Sequence, residues 1–121
     1  MATADDPRSA IVQAVHDYFE GWFDADVGRM SRALHPDLVK RSPRNTPDAP
    51  LGITTKARML ELTAAGEGKE DADDRHLDVE VTGVHRGIAS VTVRSAAYHE
   101  YLHLVQTADG WKIANALWER P

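Results

Sequence analysis

The chain contains no cysteine. That absence removes disulfide frameworks, thiol nucleophiles, cysteine zinc sites and iron–sulfur clusters. Long apolar runs are missing too. Nothing approaches the roughly 20 residues that a membrane-spanning helix needs, so no membrane partner is expected. Basic charge is scarce: 14 Lys and Arg face 19 Asp and Glu, a net charge of −5. Nucleic-acid binding ordinarily uses a basic patch, and none shows, so nucleic acid is not an expected partner. There is no Gly-rich phosphate loop, which argues against a nucleotide cofactor, and no cofactor is expected. The opening, MATADDPRSA, is acidic and lacks the charged-then-apolar layout of a secretory signal, which sets a cytoplasmic location as the expectation. What is present is the balance of one globular domain: 121 residues, 42% hydrophobic and 27% charged, read as a single domain over 1–121 with a flexible start at 1–6.

Helices come first. Asp6 can accept from the free N–H groups of a helix start, and Pro7 suits its first position. Ile11, Val15, Tyr18, Phe19, Trp22 and Phe23 follow at spacings of three and four, one apolar stripe. Gly21 inside that stripe predicts a close approach by another element. Asp26 is a cap for a second helix, with Val27, Met30, Ala33 and Leu34 on one face, ending before Pro36. His35 falls at the helix exit, and 37–42 reads as a short strand. The segment 42–52 holds Pro43, Pro47 and Pro50 and reads as a loop. Thr54 or Thr55 caps a third helix carrying Met59, Leu60 and Leu62 and ending near Gly66. Residues 66–74, GEGKEDADD, read as an acidic linker or exposed turn.

From His76 the apolar period becomes two. Leu77, Val79 and Val81 alternate with polar residues, as do Ala89, Val91 and Val93 after a turn at 83–87. A third strand spans about 98–106 and a fourth 111–119, joined at Asp109–Gly110. Helices followed by an antiparallel meander make an α+β fold with helices on one face of the sheet. A two-residue turn at Asp109–Gly110 places Leu104 opposite Asn115 and Leu102 opposite Leu117. One face then carries Glu100, Leu102, Leu104, Ile113, Asn115 and Leu117; the other carries Tyr101, His103, Val105, Lys112, Ala114, Ala116 and Trp118. Lys112 prefers water, which makes the first face the inner one. Glu100 and Asn115 then point into an apolar concavity, where each needs a partner, a water or a ligand. The bare outer face, with Tyr101, His103 and Trp118, predicts a homodimer.

His99-Glu100-Tyr101-Leu102-His103 matches H-E-x-x-H, a zinc-protease signature that works on a helix. In a strand, residues four apart lie about 13 Å from each other, too far to share one metal. No metal site is expected.

The aromatic first helix (YFEGWFDADVGRMSRALHPDLV), the Leu34-His35-Pro36 exit and the closing YLHLVQTADGWKIANALWE resemble the nuclear transport factor 2-like superfamily, and within it the family called putative lumazine-binding. The resemblance runs over roughly residues 8–119. It implies a cone: a curved antiparallel sheet wrapped around three N-terminal helices, a pocket at the open end, and frequent dimers through the sheet. Superfamily relatives include ketosteroid isomerase, scytalone dehydratase and SnoaL-like cyclases, which move protons with a pocket aspartate or histidine and no cofactor. Fold alone does not establish catalysis.

Tyr18, Trp22, Met30, Leu34, Met59, Leu102 and Leu117 are the candidate pocket walls; plain core is their other reading. Glu100, His35 and Asn115 are the candidate catalytic groups. Glu100 would act as general base with a pKa raised by apolar surroundings. Asn115 would hold a carbonyl or enolate oxygen, and His35 would share a proton. Three plainer roles stay open: Glu100 paired with Arg94 or Lys40, Asn115 bonded to backbone, and His35 capping the preceding helix. Lys40 and Arg41 would meet an anionic ligand at the rim or be solvated strand charges. The expected function is therefore binding of a planar or polycyclic organic ligand. The alternatives are a cofactor-free isomerase, dehydratase or cyclase, and a dimeric interaction module.

Overall fold

The computed structural model describes residues 6–121. The expected flexible start at 1–6 lies, Asp6 apart, outside the described residues. Helix α1 (Arg8–Asp24) begins as its punctuation requires. The Asp6 carboxylate accepts the Arg8 N–H at 3.0 Å, and the Pro7 carbonyl accepts from Ile11. The stripe Ile11, Val15, Tyr18, Phe19 and Phe23 is buried. Helix α2 (Val27–Ala33) is capped by Asp26, whose side chain accepts the Arg29 N–H. It crosses α1 at Gly21, where an added Cβ would lie 2.9 Å from the Met30 nitrogen. No larger residue fits there without moving backbone.

Strand β1 (Leu34–Ser42) follows α2 without a linker, so His35, directly after the α2 C-cap Leu34, already lies in a strand. β1 runs parallel to the last strand, pairing Leu34 with Ile113, and resumes at Val39 opposite Asn115. The interruption contains Pro36, which has no N–H for the ladder. After a proline-rich connection comes β2 (Gly52–Thr55), an edge strand antiparallel to β1. Four residues are too few to show a period: the sequence suggests a loop up to Gly52 and a helix cap at Thr54 or Thr55, with no strand between them. Thr55 then caps α3 (Lys56–Ala64).

The acidic stretch after α3 is not a free linker. Gly66 takes a left-handed conformation (φ 78°) and starts a 3-10 helix over Glu67–Asp71. This helix lies on α1 so closely that a Cβ on Gly68 would sit 2.2 Å from the Trp22 carbonyl oxygen. The remaining strands are β3 (Leu77–His85), β4 (Ile88–Ser95), β5 (His99–Thr107) and β6 (Gly110–Glu119). They complete a curved, unclosed six-stranded sheet in the order β2-β1-β6-β5-β4-β3. Every pair is antiparallel except β1–β6. The H-E-x-x-H residues lie on β5, an extended strand. Among the described residues, no helix is long and apolar enough to cross a membrane.

The closing hairpin departs from its expected register. The turn is Ala108–Asp109, one residue early, and Thr107 pairs with Gly110, whose φ of 109° suits glycine. The pairs Gln106–Trp111, Val105–Lys112 and Leu104–Ile113 follow, and then β6 carries an extra residue, so that His103 meets Asn115. An inserted residue moves everything beyond it to the other face. β5 keeps the expected inward row of Glu100, Leu102 and Leu104, all buried. On β6, Ala116 is buried and Trp118 packs against the core, whereas Asn115 and Leu117 are exposed. Asn115 and Leu117 thus leave the inner face, and Ala116 and Trp118 join it.

Candidate functional site

The inner face holds one polar group of three side chains. α1 brings Tyr18, β1 brings Lys40 and β5 brings Glu100. Lys40 shares a face with Leu38, two residues earlier, and both are buried. Glu100 shares its face with Leu102 and Leu104. The Lys40 ammonium donates to the Tyr18 hydroxyl oxygen. That hydroxyl donates in turn to Glu100 Oε1 at 2.9 Å, and Lys40 Nζ stands 3.5 Å from Glu100 Oε2. The three groups therefore close a triangle, with only 1% of the Glu100 side chain exposed. Of the alternatives open for Glu100, the structure selects Lys40; Arg94 instead meets Asp78 and Glu80 on the neighbouring strand.

Aromatic rings surround the triangle. Lys40 Nζ lies 5.0 Å from the Tyr18 ring centre, 5.1 Å from that of Trp118 and 5.8 Å from that of Tyr98. Such a cage is attractive to a cation that has given up water. Burial lowers the Lys40 pKa, and the Glu100 carboxylate works against that shift. Burial, then the Glu100 charge, holds the Tyr18 hydroxyl protonated well above the ordinary tyrosine range.

Between these side chains lies a small, partly enclosed chamber of about 10 Å³, lined by Tyr18, Phe19, Trp22, Lys40, Tyr98 and Glu100. That is room for about one water molecule. Its outer wall is a second hydrogen-bonded set. The Trp22 indole N–H donates to the Tyr98 hydroxyl oxygen at 2.9 Å, and that hydroxyl donates to Asp71 Oδ2. Arg120 stands 3.6 Å from Asp71 Oδ1 and lies over the Tyr98 ring at 4.8 Å. Burial, then the Asp71 bond, raises the Tyr98 pKa.

Tyr18, Trp22 and Glu100 line the chamber. Met30, Leu34, Met59 and Leu102 are buried in the core and do not line it. His35 does not line it either. Its Nδ1 accepts the Asp37 N–H at 3.0 Å, and the α2 end is met by Lys112, which donates to the Arg32 carbonyl. Asn115 faces outward beside His103, 3.4 Å between Nδ2 and Nδ1. Leu117, 49% exposed, faces outward opposite Tyr101. Lys40, a rim charge in one sequence reading, is an interior residue. Leu38 and Lys40 at a spacing of two carried that signal. For Asp71 and Arg120 no local signal exists, because their partners lie far along the chain.

Two open depressions lie elsewhere. One, of about 570 Å³, includes His85, Ile88, His103, Val105 and Asn115. The other, of about 640 Å³, includes Leu51, His99, Tyr101, Leu117 and Arg120.

Residues 6–119 match the model of a family described as "Putative lumazine-binding". No curated protein matches the sequence. Among solved structures, an NTF-2 like protein of unknown function from Silicibacter pomeroyi DSS-3 is similar over the whole of both chains, with 13% identity and a TM-score of 0.78. A ketosteroid isomerase-like protein from Erwinia carotovora atroseptica SCRI1043 is similar over 96% of this chain and 97% of its own, with 18% identity and a TM-score of 0.64. A "putative dehydratase from the NTF2-like family" from Streptomyces avermitilis is similar over 96% and 99%, with 16% identity and a TM-score of 0.57. At such identities the likeness to solved structures shows the fold, while the family match spans nearly the full sequence. The chain therefore belongs to the family described as putative lumazine-binding.

Proposed function

We propose that this domain binds a planar, conjugated organic molecule bearing a carbonyl or enol oxygen, at the chamber formed by Tyr18, Trp22, Lys40, Tyr98 and Glu100. One observation carries the reading: two charged side chains and a phenol converge on one small, partly enclosed space among aromatic rings. Apolar residues of similar volume usually stabilise a core as well as a buried ion pair does, or better. A pair kept in such a place, lining a cavity, is a candidate for recognition or chemistry. Aromatic walls suit a flat ligand, and Lys40 and Tyr18 supply donors for its oxygen. The ligand-binding name of the family supports the same reading.

The test is a thermal-shift and native mass-spectrometry screen of pteridine-like, flavin-like and aromatic polyketide compounds, on wild type and on Lys40→Met and Glu100→Gln. A ligand that loses about tenfold or more in affinity with either substitution, the loss of one charge-assisted hydrogen bond, supports the assignment. A ligand indifferent to both substitutions refutes it.

A second reading, proton transfer next to a carbonyl, is favoured by the Tyr18–Glu100 bond of 2.9 Å. Glu100 would take the proton, and Tyr18 and Lys40 would face the oxygen on which charge develops. The structural neighbours described as ketosteroid isomerase-like and as a putative dehydratase lean the same way. Loss of turnover in Glu100→Gln with ligand affinity retained separates this reading from binding alone. His35 and Asn115 have no part in it, because neither side chain lines the chamber.

The proposed macromolecular partner is a second copy of the chain, meeting the outward row of β5 and β6. Tyr101 and Leu117 stand opposite each other there, 55% and 49% exposed. His103 and Asn115 continue the row without a formal charge. An uncharged centre with an aromatic anchor fits a self-complementary interface.

A further inference from the structure

We propose that the segment from Gly66 to Arg75 is a strap latched over the chamber, and that its release from Trp22 and Tyr98 is what admits a ligand. The proposal rests on the assignment of the chamber as the ligand site and adds how that site opens.

The strap is tied at both ends and in the middle. At its start Gly66 takes a left-handed conformation (φ 78°), which glycine adopts with little strain. At its far end Arg75 holds the last turns of α1, 3.0 Å from Glu20 and 2.8 Å from Asp24. Between them runs the 3-10 helix Glu67–Asp71. Its middle contact is Asp71, whose two carboxylate oxygens are divided between the Tyr98 hydroxyl and the Arg120 guanidinium. Gly68 rests on the Trp22 backbone and indole.

Trp22 and Tyr98 are two of the six walls of the chamber, and the strap touches both from outside. Their own hydrogen bond, Trp22 Nε1 to Tyr98 Oη, uses the same hydroxyl that donates to Asp71. Lifting the strap therefore frees the hydroxyl's outer partner and uncovers both rings together. The rest of the strap contributes little core: Glu67, Lys69, Glu70, Asp73 and Asp74 are exposed or half-exposed. Segments with few buried apolar contacts open at low free energy while the sheet stays folded. The chamber's present volume admits no organic molecule, so a ligand requires this or an equivalent movement.

Two substitutions release the strap without touching Lys40, Glu100 or Tyr18. Asp71→Ala removes the latch. Gly68→Ala inserts a Cβ where only 2.2 Å separates it from the Trp22 carbonyl oxygen, so the strap must rise. Hydrogen–deuterium exchange and binding of 8-anilinonaphthalene-1-sulfonate, an aromatic anionic probe, read the result. The expectation is exchange about tenfold faster over 66–75 in both variants, with β4–β6 protection unchanged. Dye binding should rise in both and be lowered again by adding Lys40→Met. Unchanged exchange over 66–75 overturns the strap. Faster exchange without increased dye binding overturns its gating role. If exchange and dye binding respond but Lys40→Met leaves the dye bound, the strap opens onto some other surface, and the chamber assignment falls while the strap's mobility stands.

Discussion

The ammonium of Lys40 lies 3.5 Å from the carboxylate of Glu100, in a place where 9% of one side chain and 1% of the other reach solvent. Each charge answers for the other's burial, and Tyr18 ties both through its hydroxyl. Among the described residues, the same arrangement completes the core and supplies the polar side of the chamber.

Removing one member should cost far more than removing both. Lys40→Met leaves a buried carboxylate without its cation, a loss of about 3–5 kcal/mol. Replacing Lys40 and Glu100 together by Met and Leu should recover most of that. Urea denaturation of the two single variants and the double variant checks it through their coupling energy. Additive losses would show that the two charges do not depend on each other.

Alkaline pH should unfold the protein through its buried tyrosines. The folded pKa values of Tyr18 and Tyr98 are raised, both chiefly by burial. Their stabilisation is therefore fully present below the unfolded tyrosine value near pH 10 and lost as pH rises above it, by about 1.4 kcal/mol per pH unit for each tyrosine. Lys40 has the opposite sign, because its folded pKa is lowered. It adds stability as pH climbs from that lowered value to the unfolded lysine value near 10.4 and nothing further beyond. The loss should thus be partly masked near pH 10 and steepen above it. Tyr98→Phe should make the slope shallower by one proton, as read from denaturation midpoints between pH 9 and 11.5.

Association should depend on outward side chains and not on Trp118. Tyr101→Ala with Leu117→Ser should abolish a dimer seen by sedimentation while leaving thermal stability at low concentration nearly unchanged. Trp118 packs against Tyr98, ring centres 5.4 Å apart. Trp118→Ala should instead lower intrinsic stability by about 3–5 kcal/mol or somewhat less, given its partial burial. A dimer unaffected by the double substitution would exclude this face as the interface.

The crossing of the first two helices should tolerate no side chain. Gly21→Ala places a Cβ 2.9 Å from the Met30 nitrogen. Such overpacking against backbone should cost about 1–3 kcal/mol. Gly28, with only side-chain atoms at 3.7 Å and beyond, should accept alanine with no loss, and thermal denaturation of the pair compares them.

Local patterns were enough to read most of the elements. Stripes at three and four residues placed α1 and α2, side-chain caps at Asp26 and Thr55 started α2 and α3, and alternation placed β3 to β6. These signals are short-range, since a helix face or strand pleat repeats within a few residues. They also put Glu100 on the inner face and exposed the H-E-x-x-H match as a strand. Asn115 and Leu117 were misplaced because one extra residue in β6 reverses the pleat, and with Ala114, Ala116 and Leu117 all apolar the change of phase does not show in the alternation. The edge strand β2 escaped notice because it finds its partner in β1 and has too few residues for a period of its own.

The amino-acid sequence by itself determined the α+β class, the order of helices and strands, and the family, because each depends on local periodicity or on similarity along the whole chain. Only the tertiary structure decided that Lys40 is Glu100's counter-ion, that the acidic segment after α3 lies down on Trp22, and that the space beside them has room for about one water. Those depend on pairs such as Lys40–Glu100, Trp22–Gly68 and Asp71–Tyr98. Such pairs meet through sheet register and helix packing, which no stretch of neighbouring residues encodes.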